Sequence, residues 1–267
     1  MTLSTSSSTP DVIIVGCDCF PIGTAFSVKD TAGLTFTART GQVSIGGNQF
    51  LQEWYAIAPS PLSSDVISVT TTDSGETWYG VVAFGVSGAN TASPFDTNPT
   101  LPVAQSNNPD CPGSKPCDTG VSTTSSNDFV FQIGGDTGGI LQTAGAGFNL
   151  IASTTRRQDA YAQYRLTTST LGSATLSFGK SQGSDFGVIT DAIVSASSGT
   201  IKISDVVSPS GSTSSALTPG VLTLLGTAGL LPIAVKAAKS PRTALQIRSR
   251  FRKENCDQKA RVPATTG

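Results

Sequence analysis

The stretch Asp11–Gly16 (DVIIVG) and its later counterpart Asn127–Ile133 (NDFVFQI) decide the fold that the sequence predicts. Both are short and rich in β-branched or aromatic residues, and polar turn-forming residues precede them, as is typical of buried strands. Further runs of alternating apolar and polar residues follow each stretch. The pattern therefore begins twice along the chain, and we expect a protein built from strands.

The runs that follow the two stretches correspond to one another in order. Gly33–Ala38 (GLTFTA) matches Gly147–Ala152 (GFNLIA). The remaining matches are Leu51–Tyr55 with Ala160–Tyr164, Leu62–Ser68 with Leu171–Ser177, and Glu76–Val81 with Ser184–Ile189. The offset between matched residues falls from 117 to 108, as expected for two copies that differ by a few loop deletions.

Each half supplies about five strands and little helix. Such a small sheet would leave its edges and one face uncovered, whereas two halves that face each other bury both faces. We therefore predict an all-β fold, a two-sheet antiparallel sandwich that is jelly-roll-like and built from two similar halves, plus one C-terminal helix. Two separate domains are the alternative.

The composition restricts the chemistry. The chain has 267 residues, only 13% of them charged, and it contains no histidine. Without histidine, the commonest general base and the commonest metal ligand are missing, and triads that use histidine are impossible. Glu53 and Glu76 are the only glutamates before the C-terminal tail, which argues against a pair of glycosidase carboxylates. We predict a protein that is not an enzyme and that needs no cofactor.

The uncharged run Thr218–Val235 (TPGVLTLLGTAGLLPIAV) separates two regions of opposite charge. Residues 1–235 hold 8 basic and 16 acidic residues, a net charge of −8, whereas residues 236–267 hold 9 and 2, a net charge of +7. At 1.5 Å per residue such a run spans the ~30 Å core of a bilayer, and basic residues after it are typical of the inner side. The alternatives for the run are a buried helix or two strands of a core, and the alternative for the tail is binding of nucleic acid.

These observations give a predicted domain organisation. It consists of a disordered N-terminus at 1–10, a β-domain at 11–207 with halves 11–97 and 127–195, a linker at 208–217, a transmembrane helix at 218–236 and a basic cytoplasmic tail at 237–267. The β-domain would lie outside the cell and the tail inside, with membrane lipid as a partner and no nucleic acid. Residues 1–10 have neither the basic nor the apolar region of a signal peptide. We expect that the start of the chain is truncated; insertion through the C-terminal segment, or a protein that is not exported, are the alternatives.

Several segments of residues 10–195 resemble extracellular β-sandwich modules of prokaryotic surface proteins, especially those of ammonia-oxidising and related archaea. The segments that carry the resemblance are Lys29–Thr37, Glu53–Asp65, Ala83–Asp96, Asn127–Phe131 and Ala144–Phe148. The resemblance implies a location at the cell surface. It implies no chemistry that could be assigned to particular residues.

The cysteines offer a disulfide prediction. Cys111 and Cys117 enclose a short loop with two prolines and a glycine, and we predict a disulfide between them. Cys17 and Cys19 point to the same face of a strand, where we expect a direct bond to be strained. Free or cross-paired thiols are the expectation for them, and a four-cysteine zinc site is a weak alternative because its usual spacing is CxxC.

Four aromatic residues form the candidate ligand site. Trp54, Tyr55, Trp78 and Tyr79 are the densest aromatic group, and such rings stack on sugars in carbohydrate-binding sandwiches. Packing in the core is the simpler interpretation. The aspartates predicted to lie in turns could together bind Ca²⁺, although capping of turns is the expected role; they are Asp18, Asp30, Asp73, Asp96, Asp110, Asp118, Asp128 and Asp136.

The sequence thus predicts a membrane-anchored cell-surface protein with an exposed β-domain for structural or adhesive interaction. A module that binds glycans through its aromatic residues is the alternative function. The partner would be a glycan or another surface protein.

Overall fold

A computed structural model describes residues 1–6, 10–75, 77–105, 116–136, 143–154, 159–180, 186–196 and 200–207. In this part of the chain the regular structure is all β, with no helix. The strands are β1 (Thr2–Leu3), β2 (Asp11–Phe20), β3 (Phe26–Lys29), β4 (Thr37–Ala38), β5 (Val43–Gly46), β6 (Gln49–Ala58), β7 (Asp65–Val66), β8 (Ser68–Thr71), β9 (Trp78–Ser87), β10 (Val103–Gln105), β11 (Pro116–Val121), β12 (Asp128–Asp136), β13 (Asn149–Ser153), β14 (Asp159–Leu166), β15 (Ala174–Lys180), β16 (Phe186–Val194) and β17 (Lys202–Val207).

Two large antiparallel sheets contain the long strands. The first sheet has the order β17-β9-β2-β6-β4, with β5 also paired to β6, and the second has the order β10-β16-β12-β14-β13. Three small two-stranded sheets accompany them, formed by β1 with β7, β3 with β8, and β11 with β15. All these strands belong to one compact unit, Met1–Ser215.

The two large sheets share one apolar core. Side chains alternate between the faces of a strand, so Ile14 of β2 faces the second sheet and packs in one cluster with Phe84 and Phe131. The side chain of Ile133 packs directly on the backbone of Gly16, where an added Cβ would lie 2.6 Å from Cγ2 of Ile133. A residue larger than glycine would therefore push the sheets apart at this point.

The outer face of each large sheet is covered by a small sheet. Val15 of β2 belongs to a buried cluster with Val28 of β3 and Val69 of β8. On the second sheet, Val130 of β12 packs in a cluster with Leu176 of β15. This double covering explains why β2 and β12 are buried along nearly their whole length, and why both read as continuous runs in the sequence.

The segments that match in sequence occupy matching places in the two sheets. The order β9-β2-β6 in the first sheet repeats as β16-β12-β14 in the second, with all pairs antiparallel. A pair of hydrogen bonds also repeats. The amide of Thr5 donates to the carbonyl of Leu62 and its hydroxyl accepts from the Leu62 amide, and Thr123 and Leu171 make the same two bonds.

The start of the chain differs from the prediction. Residues 1–10 were expected to be disordered, but Thr2–Leu3 forms β1, which pairs with Asp65–Val66. Leu3 is fully buried in the apolar cluster between the first large sheet and the small sheet of β3 and β8, which we call the first cover. Two residues between polar neighbours are too few for a periodic signal, and this is why the sequence pattern does not reveal the strand.

The strand that follows each half joins the opposite sheet. β10 follows the first half but pairs with β16 of the second sheet, and β17 follows the second half but pairs with β9 of the first. The region between the two halves therefore contains β10 and β11, and the run that follows the second half supplies β17.

The apolar run 218–235, the linker and the basic tail lie outside the described residues. Among the residues that the structure does describe, no helix is long and apolar enough to cross a bilayer.

Candidate functional site

The structure separates Trp54 and Tyr55. They are neighbours on β6, so their side chains point to opposite faces of the first sheet. Trp54 is only 4% exposed and packs in the core under the first cover. Tyr55 is half-buried on the other face, where its ring lies 4.8 Å from that of Phe95 in an edge-to-face arrangement. The core interpretation therefore holds for Trp54.

Trp78 and Tyr79 lie farther along the same sheet. Tyr79 can be placed relative to Trp54 by their partners on β2, since Trp54 pairs with Val15 and Tyr79 pairs with Cys19. Trp54 and Tyr79 are therefore about four residues, roughly 13 Å, apart along the strand direction. Tyr79 packs edge-on against Phe26 under the first cover. The four aromatic residues are not brought together on one exposed surface, which removes the geometric basis of the sugar-stacking site.

A disulfide joins Cys17 and Cys19, with 5.6 Å between their Cα atoms. The expectation of free or cross-paired thiols was wrong. The two side chains do share one face of β2, as predicted, and both are fully buried under the first cover. The predicted bond between Cys111 and Cys117 lies outside the described residues.

Only some of the predicted turn aspartates lie in turns. Asp30 accepts hydrogen bonds from the amides of Gly33 and Leu34, and Asp73 accepts one from the amide of Gly75. The prediction was wrong for four others, which lie within strands: Asp18, Asp118, Asp128 and Asp136. Asp110 lies outside the described residues. Among the described residues, no group of three potential ligands has the geometry to hold a metal ion.

A cluster of charged side chains lies between the two large sheets and was not predicted. Arg39, just after β4, reaches Asp191 on β16, with 2.7 Å between Nε and Oδ2. The backbone amide of Arg39 donates to the carbonyl of Glu53, which fixes the start of the side chain. Asp191 is fully buried, and its Oδ1 accepts from Nη2 of Arg39 at 3.4 Å and from the amide of Ala192 at 2.8 Å. This ion pair ties the two halves together.

Glu53 adds a second carboxyl group to this cluster. It is fully buried, and neither of its carboxyl oxygens has a hydrogen-bond partner. Burial raises the pKa of Glu53 well above its ordinary value, and the nearby carboxylate of Asp191 raises it further, whereas Arg39 acts in the opposite direction. Burial raises the pKa of Asp191 as well, but its hydrogen bond with Arg39 and the charge of Arg39 act in the opposite direction, so the cluster favours a charge on Asp191 over one on Glu53.

The segment Ser93–Asp96 (SPFD) closes the cluster from one side. It runs along β16, where Phe95 bridges to Ile193 and the Asp96 amide donates to the carbonyl of Ala192. The guanidinium carbon of Arg39 lies 4.1 Å from the centre of the Phe95 ring, a cation–π contact. Phe95 thus shields the ion pair from water and keeps it strong.

Asp96 binds the loop that leads into β12 through hydrogen bonds. Its carboxylate accepts hydrogen bonds from the amides of Asn98, Thr124 and Ser125 and from the hydroxyl of Thr124. These bonds lower the pKa of Asp96, although burial opposes them. Burial raises the pKa of its neighbour Asp128 to about 7, and the charge of Asp96 contributes to that rise. The pKa values of these two neighbouring acids are therefore shifted in opposite directions.

Two acids with separated pKa values are a pattern that general acid–base catalysis uses. Here, however, every oxygen of Asp191 and Asp96 accepts an internal hydrogen bond. Glu53, Asp191 and Asp128 are fully buried. The arrangement fastens the sheets and the SPFD segment to one another rather than presenting reactive groups to a ligand. Sequence reasoning missed it because Arg39 and Asp191 are 152 positions apart.

Comparison with family models, with curated proteins and with solved structures gives no match to this chain.

The pKa of Asp128 predicts that acid stabilises the protein. Its ordinary pKa, near 3.9, applies to the unfolded chain, so between about pH 4 and pH 7 the folded state binds more protons than the unfolded one. The free energy of unfolding should then fall by roughly 2 kcal/mol from pH 5 to pH 7 because of this group. Glu53 acts in the same direction.

Urea unfolding at pH 5, 6 and 7 tests this prediction. Asp128→Asn should show a smaller decrease than the wild type, and Asp118→Asn, at an exposed position on β11, should not change the slope. A stability that rises with pH over this range would contradict the raised pKa.

Proposed function

We propose that this chain is a non-enzymatic structural or adhesive module of a cell surface, a two-sheet sandwich of two related halves held at the membrane by its C-terminal apolar run. The observation that carries the proposal is the way in which its charged groups are used. The charged groups of Arg39, Asp191 and Asp96 join strands and loops that are far apart in sequence. These groups therefore stabilise the fold through internal ion pairs and hydrogen bonds.

The disulfide supports the external location. Cys17 and Cys19 are joined by a covalent bond, and disulfides persist in oxidising surroundings but are rare in the cytosol. The resemblance of residues 10–195 to prokaryotic surface modules points in the same direction. The change of net charge across the run 218–235 gives an orientation, with the acidic β-domain outside and the basic tail inside.

Adhesion through Trp54, Tyr55, Trp78 and Tyr79 is no longer the preferred form of this function, because Trp54 is in the core and the other three do not form one platform. The structural role needs no such platform. It needs a domain that stays folded outside the cell, and the double covering of both large sheets supports that requirement.

Membrane fractionation with surface proteolysis tests the proposal. The full chain should remain with the membranes after a carbonate wash, and protease added to intact cells should reach the β-domain but not the tail. A matched variant with Leu225→Arg and Leu230→Arg should be released by the wash, because two charges at the centre of the run oppose insertion. Recovery of the wild type in the soluble fraction would overturn the membrane anchor.

A further inference from the structure

A cavity of about 270 Å³ opens on the outer face of the second sheet, at the end of β14. Seven residues line it: Gly147, Arg165, Leu166, Thr167, Thr168, Ser169 and Leu171. The group includes one cation, Arg165, and three residues that carry hydroxyl groups, Thr167, Thr168 and Ser169. None of these residues takes part in the charged cluster between the sheets.

Arg165 is the distinctive residue of this cavity. Within the part of the chain that the structure describes, the one ion pair joins Arg39 and Asp191, so Arg165 has no carboxylate within 4 Å there. Its guanidinium carbon lies 5.8 Å from the centre of the Phe148 ring, which holds the group at the wall of the cavity. A cation at this position is notable because residues 1–235 carry a net charge of −8.

The hydroxyl groups of the cavity differ in their freedom to bind a ligand. The hydroxyl of Thr167 is committed to the fold, since it accepts from the amide of Asp128 and lies 3.2 Å from the carbonyl of Ser126. Thr168 and Ser169 follow it in the loop and are exposed. They can both donate and accept hydrogen bonds beside the guanidinium of Arg165.

The corresponding place in the first half has different chemistry. Arg165 pairs with Val130 of β12, and the equivalent residue that pairs with Ile13 of β2 is Ala56, which is 1% exposed. Pro59 stands where the second half has Thr168. The same scaffold thus carries a buried alanine and a proline in one half, and a cation with hydroxyls in the other.

We propose that this cavity binds an acidic sugar. A carboxylate or a sulfate ester of the sugar pairs with Arg165, whose planar fork suits both groups. The ring hydroxyls bond to Thr168 and Ser169. The cavity is several times larger than a bare inorganic anion, which favours an anion carried on a ring. This binding goes beyond the proposed structural function and does not depend on it.

Hydrogen exchange with a short oligogalacturonate, a sulfated oligosaccharide of equal length and a neutral maltooligosaccharide tests the proposal. The full chain also carries nine basic residues in 236–267, so a local signal is needed instead of retention on a charged column. An acidic oligosaccharide should slow exchange in the peptides that cover 145–150 and 165–171, and the neutral one should not. The sugar that gives protection distinguishes carboxylate from sulfate recognition.

Two variants complete the test. Arg165→Gln should weaken the local binding roughly tenfold, as expected from loss of one charge-assisted contact. Lys202→Gln removes an exposed cation from β17 of the first sheet and should leave it unchanged. The proposal is overturned if no acidic oligosaccharide protects these peptides, if Arg165→Gln binds as the wild type does, or if both variants lose binding equally. A folded Arg165→Gln protein is verified by its unchanged urea midpoint.

Discussion

When the chain is divided between β10 and β11, neither half will fold cooperatively on its own. The inner faces of the two large sheets form one core, in which Phe84 of the first sheet packs with Phe129 and Phe131 of the second. Burial of each such side chain contributes about 1.5–3 kcal/mol. Exposing the whole face therefore exceeds the 5–15 kcal/mol by which domains are usually stable.

The crossing strands make this dependence mutual. The first half carries β10, which forms the edge of the second sheet beside β16, and the second half carries β17, which forms the edge of the first sheet beside β9. A separated half therefore loses an edge strand in addition to its facing sheet. It also keeps one strand that has no partner, and such strands promote aggregation.

Far-ultraviolet circular dichroism and urea unfolding of the halves 1–110 and 111–267 provide the measurement. Each half alone should lack a cooperative transition, and co-expression of the two should restore one. Both tryptophans, Trp54 and Trp78, are in the first half, so their fluorescence reports on the recovery of the first sheet. As a control, the intact chain with a protease site in 106–115 should stay folded after cleavage. Two independently cooperative halves would instead support two separate domains.

The long strands could be predicted from the sequence because their signal is local. The runs at Asp11–Gly16 and Asn127–Ile133 are continuous and apolar, and the structure buries both faces of β2 and β12. The matching of later segments is also visible in the sheets, since β6 and β14 flank β2 and β12 in the same way. Periodicity records which residues are buried, and this was enough to identify an all-β chain.

The features that depend on contacts between distant residues could not be predicted. Nothing in residues 2–3 shows that they form a strand with β7, and nothing in 103–105 shows that β10 joins the opposite sheet.

The candidate aromatic site does not form for a simpler reason. Trp54 and Tyr55 are adjacent in sequence, and adjacent residues of a strand point to opposite sides. The membrane run stays a prediction.

The charged cluster was missed because its members come from separate elements. Arg39 and Asp191 are single charges in otherwise ordinary surroundings, and only the packing of the two sheets brings them together. Glu53 was considered only because glutamates are few before the C-terminal tail, and its position on the strand was not used. A sequence signal did exist in the SPFD segment, whose Phe95 and Asp96 hold the cluster closed, but its role follows only from the contacts it makes.

Replacing Asp191 with alanine should lower the free energy of unfolding by about 3 kcal/mol, the largest effect that we expect from a single polar substitution. Asp191 is fully buried, whereas the side chain of Arg39 is 23% exposed. Removing the carboxylate leaves the partly buried guanidinium of Arg39 without the counter-charge to which it is hydrogen-bonded. The cost is mainly that of an unpaired buried charge.

Two companion variants separate this cost from a simple loss of packing. Arg39→Met combined with Asp191→Leu removes both charges and fills the space with apolar atoms, so it should recover most of the lost stability. Glu53→Gln removes the group whose oxygens have no partner and whose pKa is raised, so it should be neutral or slightly stabilising at pH 7 and should reduce the decrease in stability with rising pH.

Urea unfolding at pH 7 of the wild type and these variants provides the measurement. A loss below about 1 kcal/mol for Asp191→Ala would mean that this ion pair contributes no more than an exposed salt bridge does. That result would contradict its role in joining the two sheets. An equal loss in the Arg39→Met and Asp191→Leu double variant would mean that shape, and not charge, matters at this site. The expected result is a large loss in Asp191→Ala together with recovery in the double variant. An apolar pair would then give the same free energy of unfolding as the ion pair. The ion pair would therefore specify how the two halves meet more than it stabilises them.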